Sequence, residues 1–357
     1  MINLNDILTE ALRTEASDVF IIPGLPLTYK VYGTQAREGQ IMLPENTEAL
    51  VREIYQHSKR HMTVMENEML DDDFSFSDHK LGRFRANVFH QRGSLAVVLR
   101  VIHFGLPDPE KLGLPQEVMN ACGNRAGLIL VTGPTGSGKS TTLACMIDRI
   151  NKTREGHIIT MEDPIEFIHR HGKCVVTQRE VGIDVPNYIS ALRSALRQSP
   201  DVILLGEMRD KETIEVAMTA AETGILLFST LHTQGAANAV DRIIDIYPAG
   251  QQNQIRLQLA MMLRCVISQQ LVPLKEGGVA GVFEVMNATP AIRSLIREAK
   301  THQIDASIRS GKAEGMISMD ESIFRLYQKG KITKETALQF CINAEGMERK
   351  INVTAGF

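Results

Sequence analysis

Gly127-Leu-Ile-Leu-Val-Thr-Gly-Pro-Thr-Gly-Ser-Gly-Lys-Ser-Thr141 joins a short apolar run to a glycine-rich loop of the form GxxxxGK[ST]. The residues after it, Ser140 to Ile150, place Leu143, Ile147 and Ile150 at helical spacing. The loop therefore connects a buried strand to a helix, the context in which such a pattern binds phosphate. Glycines let consecutive N–H groups turn inward around phosphate oxygens, and the helix N-terminus adds its positive dipole end. Lys139 supplies a point charge for the β- and γ-phosphates, and Ser140 is suited to ligate Mg²⁺. Gly133, Pro134, Thr135, Gly136, Ser137, Gly138, Lys139, Ser140 and Thr141 are thus the expected nucleoside triphosphate-binding set.

Outward from this stretch the pattern stays of one kind. Apolar strands at 127–132, 157–161, 202–206 and 225–231 alternate with helical stretches, as in a mostly parallel sheet covered by helices. From about Gln251 onward the chain reads as mainly helical. On the other side, Phe104-Gly-Leu-Pro-Asp-Pro-Glu-Lys-Leu-Gly-Leu-Pro115 is rich in proline and glycine and suits a linker. Residues 1–103 mix strand-like pieces (Leu27 to Tyr32, Ser94 to Ile102) with a helical one (Thr47 to Ser58), giving a compact α+β domain. The expected organisation is 1–103, a linker at 104–115, and an ATPase domain at 116–357.

In open α/β sheets ligands sit beyond the carboxyl ends of the strands. Three such ends carry chemistry here. His157-Ile-Ile-Thr-Met161 delivers Glu162 and Asp163, Val202-Ile-Leu-Leu-Gly206 delivers Glu207, and Leu226-Leu-Phe-Ser-Thr-Leu231 delivers His232. Hydrolysis needs an oriented water, a metal held by an acid, and donors for charge developing on the transferred phosphoryl group. Glu162 is assigned to the water, and Glu207, with Ser140, to Mg²⁺ and its water shell. Asp201 precedes its strand and reads as a cap. A lone acid after a strand is more often a surface carboxylate, but three strand ends meeting beside one phosphate loop reverse that preference. His232 is read either as a γ-phosphate sensor or as a hydrogen-bonded structural histidine.

Arg83 and Arg85 lie two apart, on one face of a strand, and Arg100 adds to the set. They form a solvated face or, if a second protomer's nucleotide lies opposite, an arginine finger. Thr289-Pro290 starts a helix whose apolar face is Ile292, Leu295 and Ile296 and whose Arg293 and Arg297 form a separate stripe, solvated or in contact with a partner.

Composition narrows the function classes. With 39 basic and 42 acidic residues the net charge is −3, and aromatic content is only 5%, so neither a basic field nor a stacking platform argues for nucleic acid. Five scattered cysteines form no CxxC pair, which speaks against a zinc knuckle or a disulfide framework and for a reducing cytoplasm. No apolar run approaches the roughly 20 residues that span a bilayer, so any membrane role is peripheral.

Together these segments resemble the PilT family of type IV pilus retraction ATPases, over nearly the whole chain. The matching pieces are the Gly133–Thr141 loop, Ile159-Thr-Met-Glu-Asp-Pro-Ile-Glu166 (similar to the Asp box), Leu192 to Asp210 (the Walker B region) and Phe228-Ser-Thr-Leu-His-Thr233 (the His box). Ala291-Ile-Arg-Ser-Leu-Ile-Arg-Glu298 resembles a signature associated with retraction, and Gly82-Arg-Phe-Arg85 matches a segment that offers arginines to a neighbouring subunit's nucleotide. The resemblance implies a PAS-like α+β domain followed by a RecA-like P-loop ATPase domain with a helical C-terminal part. It also implies a homohexamer using ATP and Mg²⁺ at the cytoplasmic face of the membrane, acting on a platform protein at the pilus base to drive twitching motility. Three positions depart from the family pattern: Ile225 replaces a histidine, Ser17-Asp-Val-Phe20 replaces Ser-Asp-Leu-His, and Ser294 replaces an asparagine. The rivals are an assembly or type II secretion ATPase, which commonly carries a tetracysteine site absent here, and an accessory nucleotide-binding subunit with weak hydrolysis.

Overall fold

The computed structural model describes residues 3–31, 34–62, 71–78, 80–102 and 105–355. Tyr32, and the expected domain boundary at His103 and Phe104, lie outside the described residues. The chain divides into two compact units, one of residues 1–105 with 166–168 and one of residues 106–165 with 169–357.

The first unit is a six-stranded antiparallel sheet in the order β3-β2-β1-β6-β5-β4. Its strands are β1 (Ala16–Ile21), β2 (Leu27–Val31), β3 (Thr34–Glu38), β4 (Asp72–Asp78), β5 (Gly82–Gln91) and β6 (Ser94–Ile102), and its helices α1 (Leu4–Arg13) and α2 (Pro44–Ser58). Along β5 the alternation is strict at first: Phe84, Ala86 and Val88 are fully buried while Arg83 and Arg85 point to the other face. An antiparallel sheet packed on one side imposes this two-residue period. The buried side meets Ile7, Leu8, Leu50, Ile54 and Tyr55 from the two helices in one core.

The second unit is a seven-stranded sheet in the order β13-β12-β7-β11-β10-β8-β9. Its centre is parallel: β7 (Gly127–Thr132), β8 (Gly156–Glu162), β10 (Val202–Leu205) and β11 (Leu226–Leu231), with β9 (Cys174–Glu180) at the edge. Every residue of β7, β10 and β11 is buried. Such strands read as continuous apolar runs because helices cover both faces. The core splits accordingly into a layer with Leu128, Leu130, Ile203 and Leu227 and another with Ile129, Val131, Leu204 and Phe228.

The helical run expected from Gln251 is interrupted. After α8 (Ala249–Met262) come β12 (Leu263–Pro273) and β13 (Val279–Asn287), an antiparallel hairpin whose β12 pairs parallel with β7. Helices resume only at Pro290. The hairpin hides because β12 is enclosed between two strands and buried on both faces over Cys265–Ser268, so its pattern does not alternate. The available signals were Val266-Ile267 and the Gly277-Gly278 turn, both glycines at positive φ.

Candidate functional site

The phosphate loop leaves β7 at Gly133 and enters α4 (Lys139–Thr153), with Gly138 as N-cap at φ +86°. A residue with a Cβ there would be strained in the left-handed region. Gly133, at φ +144°, is more constrained still, since an added Cβ would lie 2.2 Å from the backbone oxygen of Gln269. The helix that follows is anchored by buried Leu143, Met146, Ile147 and Ile150. Lys139 Nζ donates to Gly133 O at 2.9 Å and Pro134 O at 3.0 Å, so its ammonium lies folded over the loop.

Around this loop the parallel strands end together. Glu207 follows β10, with a side chain only 12% exposed. One carboxylate oxygen pairs with Arg209, while Oε2 is buried, makes no hydrogen bond, and lies 3.4 Å from His232 Nε2. The other ring nitrogen of His232 is 3.5 Å from Thr135 Oγ1 in the phosphate loop. His232 thus stands between loop and acid, a placement that fits both the sensor and the structural reading of it. Thr230 Oγ1 donates to Gly206 O at 2.6 Å, and Met208 N to Thr230 O at 3.2 Å, so the Glu207 segment is fastened to β11.

Glu162 ends β8, and its Oε1 accepts from Thr160 Oγ1 at 2.6 Å and Gln178 Nε2 at 3.3 Å. These donors fix the carboxylate plane. Asp201 serves as an anchor: its Oδ2 accepts from His157 N at 2.7 Å, at the opposite end of β8. Ile225 sits just before β11 and is buried in the core, a strand length from His232, roughly 20 Å along an extended chain. That departure from the family pattern therefore lies away from the phosphate loop.

Unsatisfied polar atoms gather at the same end of the sheet. Besides Glu207 Oε2, the oxygens Thr132 Oγ1, Ser137 Oγ, Ser229 Oγ, Thr233 Oγ1 and Gln269 Oε1 are buried without a hydrogen-bond partner among the described residues. Other such atoms lie elsewhere, on His169, Tyr247 and Arg256 among others, but these six belong to the loop, the strand ends beside it and β12, where a bound group could meet them. Ser140, in the first turn of α4, is half-buried and adjoins this cluster in sequence. A hydroxyl there with an orphaned carboxylate oxygen suits a hard cation that keeps most of its own waters. No group of three or more His, Cys, Asp or Glu side chains among the described residues could hold a metal ion.

Several contributors had no sequence motif. Tyr188, in α5 (Tyr188–Ala195), has its phenol held protonated by burial, reinforced by the charges of Asp163 and Glu207. From the hairpin, Gln269 Nε2 donates to Ser137 O at 2.6 Å. Ser268 Oγ accepts from Gly235 N at 2.9 Å, and Glu284 Oε1 from Ala236 N at 2.8 Å, at the start of α7 (Ala236–Asp245) just beyond His232. Ser268 and Glu284 face each other across the hairpin. Burial pushes the Glu284 carboxyl above its ordinary value despite that backbone donor. Only their convergence on two loops could have revealed these residues.

Arg83 and Arg85 are placed in the first unit. Arg85 Nε donates to Asp73 Oδ1 at 2.8 Å, and Arg83 to Ser77 Oγ at 3.3 Å, while Arg100 donates to Asp18 Oδ1 at 3.1 Å. In the second unit Thr289 caps α9 (Pro290–Arg297) through Ile292 N, and Arg293 Nε donates to Ala288 O at 2.8 Å, leaving Arg297 as the exposed member of its stripe.

The chain is similar to known proteins. The type II/IV secretion system protein family matches residues 1–277. The type IV pilus retraction ATPase PilT of Pseudomonas aeruginosa is 43% identical over 339 residues, covering 94% of this chain and 97% of that protein. A twitching motility protein of Neisseria gonorrhoeae is 43% identical over 341 residues, 95% of this chain and 90% of its own length. Among solved structures, the pilus retraction motor PilT with bound ADP superposes with a TM-score of 0.90 at 44% identity, covering 98% of this chain and 100% of that one.

Proposed function

The chain belongs to the type II/IV secretion system protein family, among its PilT-type retraction ATPases, and from that we propose a homohexameric motor that hydrolyses Mg-ATP to withdraw type IV pili. The observation that carries the chemistry is the meeting of Thr135, His232 and the orphaned Glu207 Oε2 at the carboxyl end of one sheet. A phosphate loop alone would bind nucleotide; a histidine spanning loop and acid can also register the γ-phosphate.

In this reading the N–H groups of Gly133–Thr141 cradle the phosphates, and Lys139 exchanges its two carbonyl partners for phosphate oxygens. Glu162, its plane fixed by Thr160 and Gln178, accepts a hydrogen bond from the attacking water and turns a lone pair toward phosphorus. Ser140 and, through water, Glu207 would hold Mg²⁺, which would offset the negative charge of the phosphates. His232 changes partners as the γ-phosphate departs. Arg83 and Arg85 complete a neighbouring protomer's site by giving up Asp73 and Ser77, so that phosphate loss loosens the ring interface. Ring opening then acts on a platform protein at the cytoplasmic face of the membrane. No helix among the described residues is long and apolar enough to cross a membrane itself.

The test is pilus retraction, followed by fluorescent labelling, in cells lacking the gene and complemented with wild type or Glu207→Ala. Retraction restored only by wild type supports the motor. Unchanged retraction in the deletion strain would assign the role to another protein.

A further inference from the structure

The phosphate loop is tied to β12 as closely as to its own helix. Gln269 Nε2 lies 2.6 Å from Ser137 O, and because a carbonyl oxygen only accepts, the contacting group is the side-chain NH₂. The same residue closes on the loop from two more directions. An added Cβ at Gly133 would sit 2.2 Å from Gln269 O, and one at Gly138 would sit 3.3 Å from Gln269 Nε2. Gln269 is 3% exposed, so this amide has been withdrawn from water to make one hydrogen bond, and its Oε1 makes none. Burying a primary amide half-satisfied is costly unless its position matters.

The Ser137–Gly138 peptide is trans, and a trans peptide is a rigid plane whose C=O and N–H point in opposite directions. With the Ser137 carbonyl drawn onto Gln269, the Gly138 N–H must point away from the hairpin. We propose that Gln269 is a positioning residue for nucleotide binding: it holds the Ser137 carbonyl against β12 and so keeps the Gly138 N–H turned to the phosphates. Without a donor at this position the peptide can turn over, because glycine permits both orientations at Gly138. A carbonyl oxygen would then face an anionic phosphate. Gln269 touches no phosphate itself, and its effect falls on affinity before turnover. This role rests on the nucleotide reading above.

The experiment titrates the purified full-length chain with a fluorescent ADP analogue, comparing wild type, Lys139→Ala, Gln269→Leu and Gln269→Glu. Lys139→Ala tests the parent reading: if it binds ADP as tightly as wild type, the nucleotide site is misplaced and the role of Gln269 falls with it. Given a loss at Lys139, Gln269→Leu is expected to weaken ADP binding about tenfold, the effect of one lost hydrogen bond and its reoriented peptide. Affinity within about twofold of wild type would overturn the proposal. Gln269→Glu supplies an arm that general misfolding does not mimic. Its ionised carboxylate repels the Ser137 carbonyl, whereas the protonated form donates to it, so affinity relative to wild type should recover from about pH 8 to about pH 5. A ratio that stays flat over that range would overturn the proposal even if Gln269→Leu binds poorly.

Discussion

Strands β7, β8, β10 and β11 and the hairpin β12–β13 share one sheet but contribute differently to the site. The four parallel strands end in residues of recognisable chemistry: the Gly133–Thr141 loop, Glu162, Glu207 and His232. The hairpin ends in none, yet Gln269 holds Ser137, and Ser268 and Glu284 hold Gly235 and Ala236 beyond His232. In the proposed reading one set touches nucleotide and water, and the other sets the direction in which the first set's backbone points. A strand end can deliver a side chain, but a loop between strand and helix has free peptide planes, and those need an external hold.

If that division is right, substitutions in the two sets separate by kind as well as by size. Lys139→Ala should lower nucleotide affinity by about a hundredfold or more, read by fluorescence titration, since it removes the only side-chain cation of the loop. Affinity retained within a few-fold would remove the distinction at its root. Glu162→Ala and Glu207→Ala should leave affinity near wild type and lower single-turnover hydrolysis by about a hundredfold. Near-normal turnover in either variant would withdraw that residue's role. Mixing Arg83→Ala with Lys139→Ala protein asks whether the strand-end set is complete within one chain. Activity that departs from the sum of the two means it is not, and strictly additive activity means it is.

The hairpin variants should be gentler. Ser268→Ala removes the acceptor for Gly235 N and is expected to cost about 1 kcal/mol in denaturant unfolding, with turnover reduced more than affinity because the His232 loop is what it fastens. Equal loss in both would point to a general packing role. Glu284 gives the smallest effect, and one with a sign. Burial raises its pKa in the fold above the ordinary carboxylate value, so the native state binds the extra proton and stability falls as pH rises from the ordinary carboxylate range. Glu284→Gln keeps an oxygen for Ala236 N and should flatten that slope, seen as unfolding midpoints that converge with wild type at acid pH and exceed it above. A slope unchanged by the substitution would assign the pH dependence elsewhere.

Much of the chemistry was legible because it is local. The GK[ST] loop needs its strand before and its helix after, and all three lie within about twenty-five consecutive residues; acids at the ends of Ile158–Met161 and Val202–Leu205 are announced by the apolar runs that precede them. Arg83 and Arg85 fall on one face by simple alternation. The hairpin was not legible: β12, enclosed between β7 and β13, shows no period of two, and following a helix it reads as more helix. Gln269 is the middle of three polar residues, Ser268-Gln269-Gln270, between apolar pairs, unremarkable until Ser137, 132 positions earlier, is seen beside it.

The sequence by itself thus determined the strand, glycine-rich loop and helix of the GK[ST] segment, the acids at the strand ends and the parallel sheet that presents them, since short-range periodicity and glycine placement encode strand, turn and helix directly. Only the tertiary structure decided that His232 lies between Thr135 and Glu207, that Ile225 lies away from the Gly133–Thr141 loop, and that a hairpin far along the chain is hydrogen-bonded to that loop. Those are facts of pairing between strands and of peptide direction. They depend on which distant segments share hydrogen bonds, and no local pattern of residue types carries that information.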